Sequence, residues 1–112
     1  MTRQDILQAA SPERFLICAG SDNELWVCCD DISKMDRFNT IAWIARGEFN
    51  GVSKVIAFDL AKGTARDASR EIAVEVMTRW AHEGEPLTDW QVEYIEQQVS
   101  VQAANSFERE AA

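Results

Sequence analysis

The sequence predicts a small α+β domain in which a small antiparallel or mixed sheet of three to four strands, built from two hairpins, carries helices on one face. Short runs rich in β-branched and aromatic residues come in two pairs, each divided by turn residues. After each pair, apolar residues recur at spacings of three and four, the period of an amphipathic helix. With 112 residues, 46% of them hydrophobic, the chain fits a single domain over residues 1–112.

The first half of the chain predicts a helix, a hairpin and a second helix. The helix covers residues 3–10, and residues 14–19 and 25–30 are typical of two strands on either side of a polar turn. A helix over residues 34–46 follows, and Gly47 ends it. The residues expected on its apolar face are Met35, Phe38, Ile41, Ala42 and Ala45.

The second half repeats the order of hairpin and helix. Residues 54–59 predict a third strand, and residues 64–66 a short fourth strand that returns against it. Asp67 or Ser69 then caps a helix that runs to about residue 83, and its outer face offers an ion pair between Glu75 and Arg79. Its expected inner residues are Ile72, Ala73, Val76, Met77 and Trp80. The chain thus contains two ββα units in tandem, and the sequence leaves open whether they arose by an internal duplication.

The last helix has the clearest start signal in the sequence. Thr88 stands three residues before Gln91, which is the spacing of a capping box, and Leu87 and Val92 are placed as a hydrophobic staple. The tail after about residue 100 either continues this helix or frays. The expected inner stripe of the helix is Val92, Ile95 and Val99.

Charge narrows the classes of partner. The net charge is −8, and the chain from Glu71 onward holds nine acidic residues against two arginines. Direct binding of nucleic acid needs a basic patch, and an anionic membrane repels acidic surfaces, so neither is expected. A basic protein partner fits better. Three cysteines, an odd number, and no leader-like apolar segment predict a reducing, cytoplasmic location in a bacterial cell or a phage-infected host.

The sequence offers little for metal binding or catalysis. His82 is the single histidine, and Cys28 and Cys29 are adjacent, a poor geometry for zinc, so we expect neither metal nor cofactor. The cysteines lie in apolar strands, where a thiol behaves as a small buried hydrophobe, although a disulfide between Cys18 and Cys28 is conceivable. The pair of acids at residues 30–31 either has a structural role, in which it closes a turn or caps a helix, or it binds a cation or serves as a general acid and base.

Acidic residues line up on the last helix. Asp89, Glu93 and Glu96 stand at positions i, i+4 and i+7 and therefore share one face. Such a row arises from solubility alone, or it mimics the phosphates of a nucleic acid. The candidate partner-binding residues are the acids of the last two helices and two aromatic anchors: Glu71, Glu75, Asp89, Glu93, Glu96, Trp90 and Tyr94.

In size, acidity and glutamate-rich helices such as residues 71–83 and 89–96, the chain resembles the small acidic α+β proteins of phages and mobile elements, of which anti-CRISPR proteins are the best-known group. The resemblance rests on overall character and not on a motif. It implies an inhibitor that blocks the nucleic-acid-binding surface of a CRISPR effector complex, and it assigns no residue.

Three hypotheses for the function remain. The first is a non-enzymatic, protein-binding inhibitor or adaptor of a basic, nucleic-acid-binding protein or complex. The second is a homo-oligomeric structural or regulatory domain of a bacterial or phage protein, with a homodimer formed through Trp90, Tyr94, Val99 and Phe107. The third is an enzyme with an unrecognised carboxylate or cysteine site, which requires a deep pocket and strongly perturbed pKa values.

Overall fold

The computed structural model describes residues 12–21, 24–28, 31–49, 51–100 and 102–105. Within them, the strands and longer helices follow the order ββαββαα, which confirms the predicted α+β class. Residues 102–105 are also helical. The elements are β1 (Glu13–Ser21), β2 (Glu24–Val27), a 3₁₀ turn (Ile32–Lys34), α1 (Arg37–Ala45), β3 (Val52–Asp59), β4 (Thr64–Asp67), α2 (Ser69–Glu83) and α3 (Asp89–Gln98).

The described strands form one antiparallel sheet in the order β2-β1-β3-β4. Both predicted hairpins are present, including the short fourth strand, and β1 pairs with β3 at the centre of the sheet. β1 pairs with β2 so that Cys18 lies opposite Val27. The sequence had predicted that this second strand extends to residue 30. The backbone N–H of Cys28 still donates to Ile17 O at 2.7 Å, but the strand ends at Val27.

The core lies between one face of the sheet and the helices. Alternate residues of β1 and β3, such as Phe15, Ile17, Val55 and Ala57, point to this face and are buried. Burying a side chain of the size of Ile or Phe stabilises the fold by about 1.5–3 kcal/mol. The helices supply the facing residues Ile44, Ile72, Ala73, Val76, Trp80 and Ile95. The prediction of helices on one face is therefore confirmed.

The start of α1 was predicted three residues too early. Asp36 caps this helix, because its carboxylate accepts a hydrogen bond of 2.8 Å from the backbone N–H of Asn39. The residues before it form the 3₁₀ turn, which Asp31 caps by accepting from the backbone N–H of Ser33 at 3.0 Å. Asp31 thus has the capping role that the sequence left open.

The predicted apolar face of α1 was wrong at Phe38. This side chain is 61% exposed, because the inward face of the helix is centred on the buried residues Thr40 and Ile44, one turn apart, and Phe38 lies on the opposite side. Ile41, Trp43 and Ala45 flank that face and are partly buried against the core. The three-and-four spacing allowed two neighbouring faces, and packing on the sheet selected the one without Phe38.

The predictions for α2 and α3 are confirmed more closely. Gly84 ends α2 with a φ of 70°, a left-handed conformation that favours glycine. Ile72, Ala73, Val76 and Trp80 are buried on its inner face, and Met77 packs partly against the core. At the start of α3, the side-chain Oε1 of Gln91 accepts from the backbone N–H of Thr88 at 2.7 Å.

Several expectations fall outside the described residues: the helix over residues 3–10, Cys29, Asp30, and the tail beyond residue 105 with Phe107. The described part of the tail includes Ala104, which is buried in the core. Among the helices that the structure describes, none is both long and apolar enough to cross a membrane.

Candidate functional site

The acidic residues of α2 are held in ion pairs by an arginine of α1. Arg37 Nε and Nη2 donate to the two carboxylate oxygens of Glu75 at 3.0 and 2.9 Å. Arg37 Nη1 donates to Glu71 Oε2 at 3.1 Å. One guanidinium thereby binds both carboxylates, and its fork geometry suits this arrangement. Glu71 and Glu75 tie α2 to the start of α1.

A second arginine extends this network to the sheet. Arg66 of β4 pairs with Glu71 and also donates to Glu13 Oε2 of β1 at 3.0 Å. The predicted pair between Glu75 and Arg79 does not form, because Glu75 faces Arg37. The guanidinium of Arg79 lies 3.7 Å from Glu83 instead. We call Glu13, Arg37, Arg66, Glu71 and Glu75 the ion-pair network.

The acidic residues of α3 stand in a different setting. Asp89, Glu93 and Glu96 are exposed, and no described residue forms an ion pair with any of them. Gln97, one turn further along, donates its amide to Glu93 Oε1 at 3.2 Å. The row of carboxylates that the sequence placed on one helical face is therefore accessible and is not neutralised by any described cation.

Trp90 lies beside this row, and its ring packs on a tryptophan of the core. Its ring meets that of Trp80 edge to face, with centroids 5.5 Å apart, and 42% of its surface stays exposed. The indole N–H of Trp80 donates to Ala45 O at 3.0 Å, which fixes the supporting ring. Gly47 adopts a φ of 75° and leaves room for Trp90, since a Cβ there would lie 3.0 Å from its ring. Trp90 is thus an exposed aromatic residue with a defined position.

The second predicted anchor, Tyr94, is not on the surface. It is 6% exposed, and its ring packs edge to face on Trp80 at 5.9 Å. Its hydroxyl is buried and has no hydrogen-bond partner among the described residues. Burial raises the pKa of Tyr94 well above its ordinary value, because the charged phenolate would lose its hydration. Tyr94 therefore belongs to the core, where α3 turns inward.

A cavity of about 420 Å³ opens between α3, the loop after α1 and the start of β3. We call it the α3 cavity. Its wall includes the apolar side chains of Ile44 and Val52, and no lysine or arginine is among the described residues that line it. Gln98 of α3 fixes the spacing of two walls by donating to Ser53 O at 3.1 Å. Further lining residues are Phe49, Trp90, Glu93, Tyr94 and Gln97.

A second cavity of about 560 Å³ lies on the other side of Phe49 and includes the candidate catalytic residues Cys28 and Asp31 in its lining. Hydrogen bonds from the Ser33 hydroxyl and backbone N–H hold the pKa of Asp31 below its ordinary value. This carboxylate is occupied as a cap, and no histidine is among the described lining residues. Within the described lining, no imidazole can therefore serve as the base for Cys28.

The described thiols do not form the disulfide that the sequence left open. Cys18 and Cys28 are both free. Cys18 pairs with Val27 and Cys28 follows one position later, so the two side chains point to opposite faces of the sheet. Cys28 packs against the core, whereas burial on the other face raises the pKa of the Cys18 thiol. Within the described residues, no group of three potential ligands could hold a metal ion.

Comparisons with models of protein families, with curated proteins and with solved structures gave no match. The site must therefore be judged from its geometry. Its strongest element is the exposed face of α3, which we call the α3 surface and define as Asp89, Trp90, Glu93 and Glu96. Sequence reasoning found these four residues and missed the α3 cavity, because residues from separate segments of the chain line it.

Proposed function

We propose that this protein is a non-enzymatic, acidic inhibitor that uses the α3 surface to occupy the nucleic-acid-binding site of a basic protein or protein complex, in the manner of anti-CRISPR proteins. The observation that carries the proposal is the row of three exposed carboxylates, without an ion pair among the described residues, beside a fixed, half-exposed tryptophan. Acid rows alone are common on solvated helices. The rigidly supported Trp90 adds the type of anchor that protein interfaces favour.

The spacing of the carboxylates supports mimicry of phosphates. From Asp89 to Glu96 the helix rises about 10 Å, at about 1.5 Å per residue. Along the same length, one strand of a DNA duplex presents about four phosphates, since they repeat every 3.4 Å or so along the axis and both ends count. A basic groove that neutralises such a row of phosphates would thus meet three carboxylates over the same length. Because α3 is fixed by its core residues, little conformational entropy is lost on binding.

A pair of matched charge variants tests the proposal. Glu93→Lys with Glu96→Lys reverses two charges on the α3 surface. Glu83→Lys with Glu85→Lys reverses two charges at the exposed end of α2, outside that surface. Both variants have the same net charge, so nonspecific electrostatic attraction changes equally. Each is used, with the wild type, to capture proteins from a bacterial lysate, followed by mass spectrometry and displacement of labelled nucleic acid from the captured protein.

The expected result is a basic, nucleic-acid-binding protein that the wild type and the α2-end variant capture and the α3 variant does not. The wild type must also displace nucleic acid from it, and added salt must weaken the complex because charges carry the contact. Equal capture by both variants would show that the row is only a solvated face. Capture without displacement would contradict inhibition by mimicry.

The alternative function is a homo-oligomeric structural or regulatory domain. Trp90 is available for such a contact, but Tyr94 and Val99, expected in the same interface, pack within their own chain. Light scattering separates the alternatives: a dimer that Trp90→Ser dissociates favours homo-oligomerisation, and a monomer at working concentrations favours the inhibitor. The described exposed apolar side chains are spread over separate elements: Val27, Ile32, Phe38, Leu60, Val74 and Trp90.

A further inference from the structure

We infer that the α3 cavity receives an arginine side chain of the partner protein. The inference deepens the proposed function and rests on it, because it names the group that the α3 surface takes from a basic partner. Three features of the cavity lead to a guanidinium: aromatic walls, a carboxylate that no described cation opposes and a buried hydroxyl without a partner among the described residues.

The aromatic walls suit a flat cation. Trp90 and Phe49 both line the α3 cavity, and the exposed side of Trp90 is held in place by its contact with Trp80. A guanidinium stacks on such rings through its own π system and through the attraction of a cation to the ring face. Its volume is well below 420 Å³, so the side chain enters with part of its aliphatic stem.

The charge in the cavity is negative and unopposed. Glu93 supplies a carboxylate to the wall, and no described lining residue carries a positive charge. Gln97 donates to Glu93 Oε1, which orients the carboxylate and leaves its other oxygen to a ligand. An arginine can donate two parallel N–H groups to a carboxylate, an arrangement stronger than a hydrogen bond between neutral groups. Charge complementarity therefore selects a cation.

The third feature is the hydroxyl of Tyr94. This residue is more than nine-tenths buried, lines the α3 cavity, and leaves its hydroxyl without a partner among the described residues. A buried polar group without a hydrogen-bond partner destabilises the fold, and a ligand that pairs with it removes this cost. In the proposed complex a second N–H of the same guanidinium donates to this oxygen. A lysine ammonium neither stacks as a plane nor reaches two acceptors with fixed geometry.

The test uses small probes on the full chain and does not require the partner. Nα-acetyl-arginine amide is added to the protein, with the citrulline analogue as its uncharged isostere and the lysine analogue as the other cation. Binding is followed by NMR through the indole N–H signal of Trp90, which a Trp90→Phe variant assigns. Only the arginine probe is expected to shift this signal progressively, with a dissociation constant on the order of 1–10 mM for a single side chain.

Variants separate a specific contact from general attraction. Glu93→Gln keeps the shape of the side chain and should weaken binding of the arginine probe by about fivefold or more, because a charge-assisted hydrogen bond is lost. Tyr94→Phe removes only the hydroxyl and should weaken it about threefold. Glu83→Gln removes one charge outside the cavity and should leave it unchanged.

The proposal is overturned if the Trp90 signal does not move, if the citrulline or lysine analogue shifts it as strongly, or if Glu83→Gln has the same effect as Glu93→Gln. These outcomes are independent of the proposed function. Capture of a basic partner through the α3 surface, without a response to the arginine probe, would overturn the cavity inference alone. A response to the probe without capture would support the cavity and contradict the inhibitor.

Discussion

Glu71 and Glu75 of α2 have the same i, i+4 spacing as Asp89 and Glu93 of α3, but their surroundings in the fold differ. Glu71 and Glu75 face Arg37, which binds both carboxylates, whereas Asp89, Glu93 and Glu96 face solvent. The first group holds helices and sheet together. The second adds repulsion between like charges, about a few tenths of a kcal/mol per pair, without any described ion pair. The comparison teaches that an acidic stripe becomes a binding candidate only when the fold leaves it unpaired.

The largest expected effect on stability comes from removing Arg37, the cation that binds the acids of α2. Arg37→Ala should lower the free energy of unfolding by about 2 kcal/mol, since Glu71 and Glu75 lose a shared partner and then repel each other. We place the effect below that of a buried ion pair because Arg37 is 40% exposed. Urea unfolding measures it, and Arg79→Ala, in a looser exposed pair, should change stability by less than about 0.5 kcal/mol. Equal effects would contradict the structural role of the ion-pair network.

The next prediction concerns the support of Trp90. Gly47→Ala and Gly84→Ala both place a side chain at a left-handed φ, which costs about 1–2 kcal/mol. Gly84 has open space around it, whereas a Cβ at Gly47 meets the Trp90 ring at 3.0 Å. Gly47→Ala should therefore be the more destabilising and should alone change the near-ultraviolet circular dichroism of the tryptophans. Identical spectra and stabilities would mean that Trp90 is not held by this contact.

A smaller effect is expected at Tyr94. Because its folded pKa is raised, the unfolded chain loses the phenol proton first, and stability is lost as the pH rises above about 10, the unfolded value. Tyr94→Phe should abolish this alkaline loss and, at neutral pH, change stability by no more than about 1 kcal/mol. Tyr94 is the single tyrosine, so its tyrosinate absorbance gives the titration directly. Ionisation near pH 10 in the folded protein would contradict its burial.

The smallest expected effect on stability concerns the acids of α3. Glu93→Gln with Glu96→Gln should leave the free energy of unfolding unchanged or raise it by up to about 0.5 kcal/mol, because it removes repulsion and breaks no described ion pair. Glu71→Gln with Glu75→Gln, the matched change on α2, should lower it, since both carboxylates are bound to Arg37. If the two double variants behave alike in thermal unfolding, the acids of α2 and α3 do not differ as proposed.

Much of the fold could be predicted from local patterns in the sequence. The alternation in β1 and β3, the inner stripe of α2 and the start of α3 were all predictable, because each depends on residues within a few positions of one another. The errors lie where two local solutions compete. Asp36 caps α1 and makes it start three residues later than predicted, and the inward face of that helix excludes Phe38. The spacing of the apolar residues alone could not decide which of two neighbouring faces of α1 points toward the core.

For the candidate site, the sequence by itself determined the acidic row of α3 and placed Trp90 beside it, since a helix fixes which of its own residues share a face. Tertiary structure decided the rest. It brought Arg37 to Glu71 and Glu75 across more than 30 positions, buried Tyr94 against Trp80, and formed the α3 cavity from three separate segments. Such contacts depend on how the helices pack on the sheet, and no spacing along the chain encodes that packing locally.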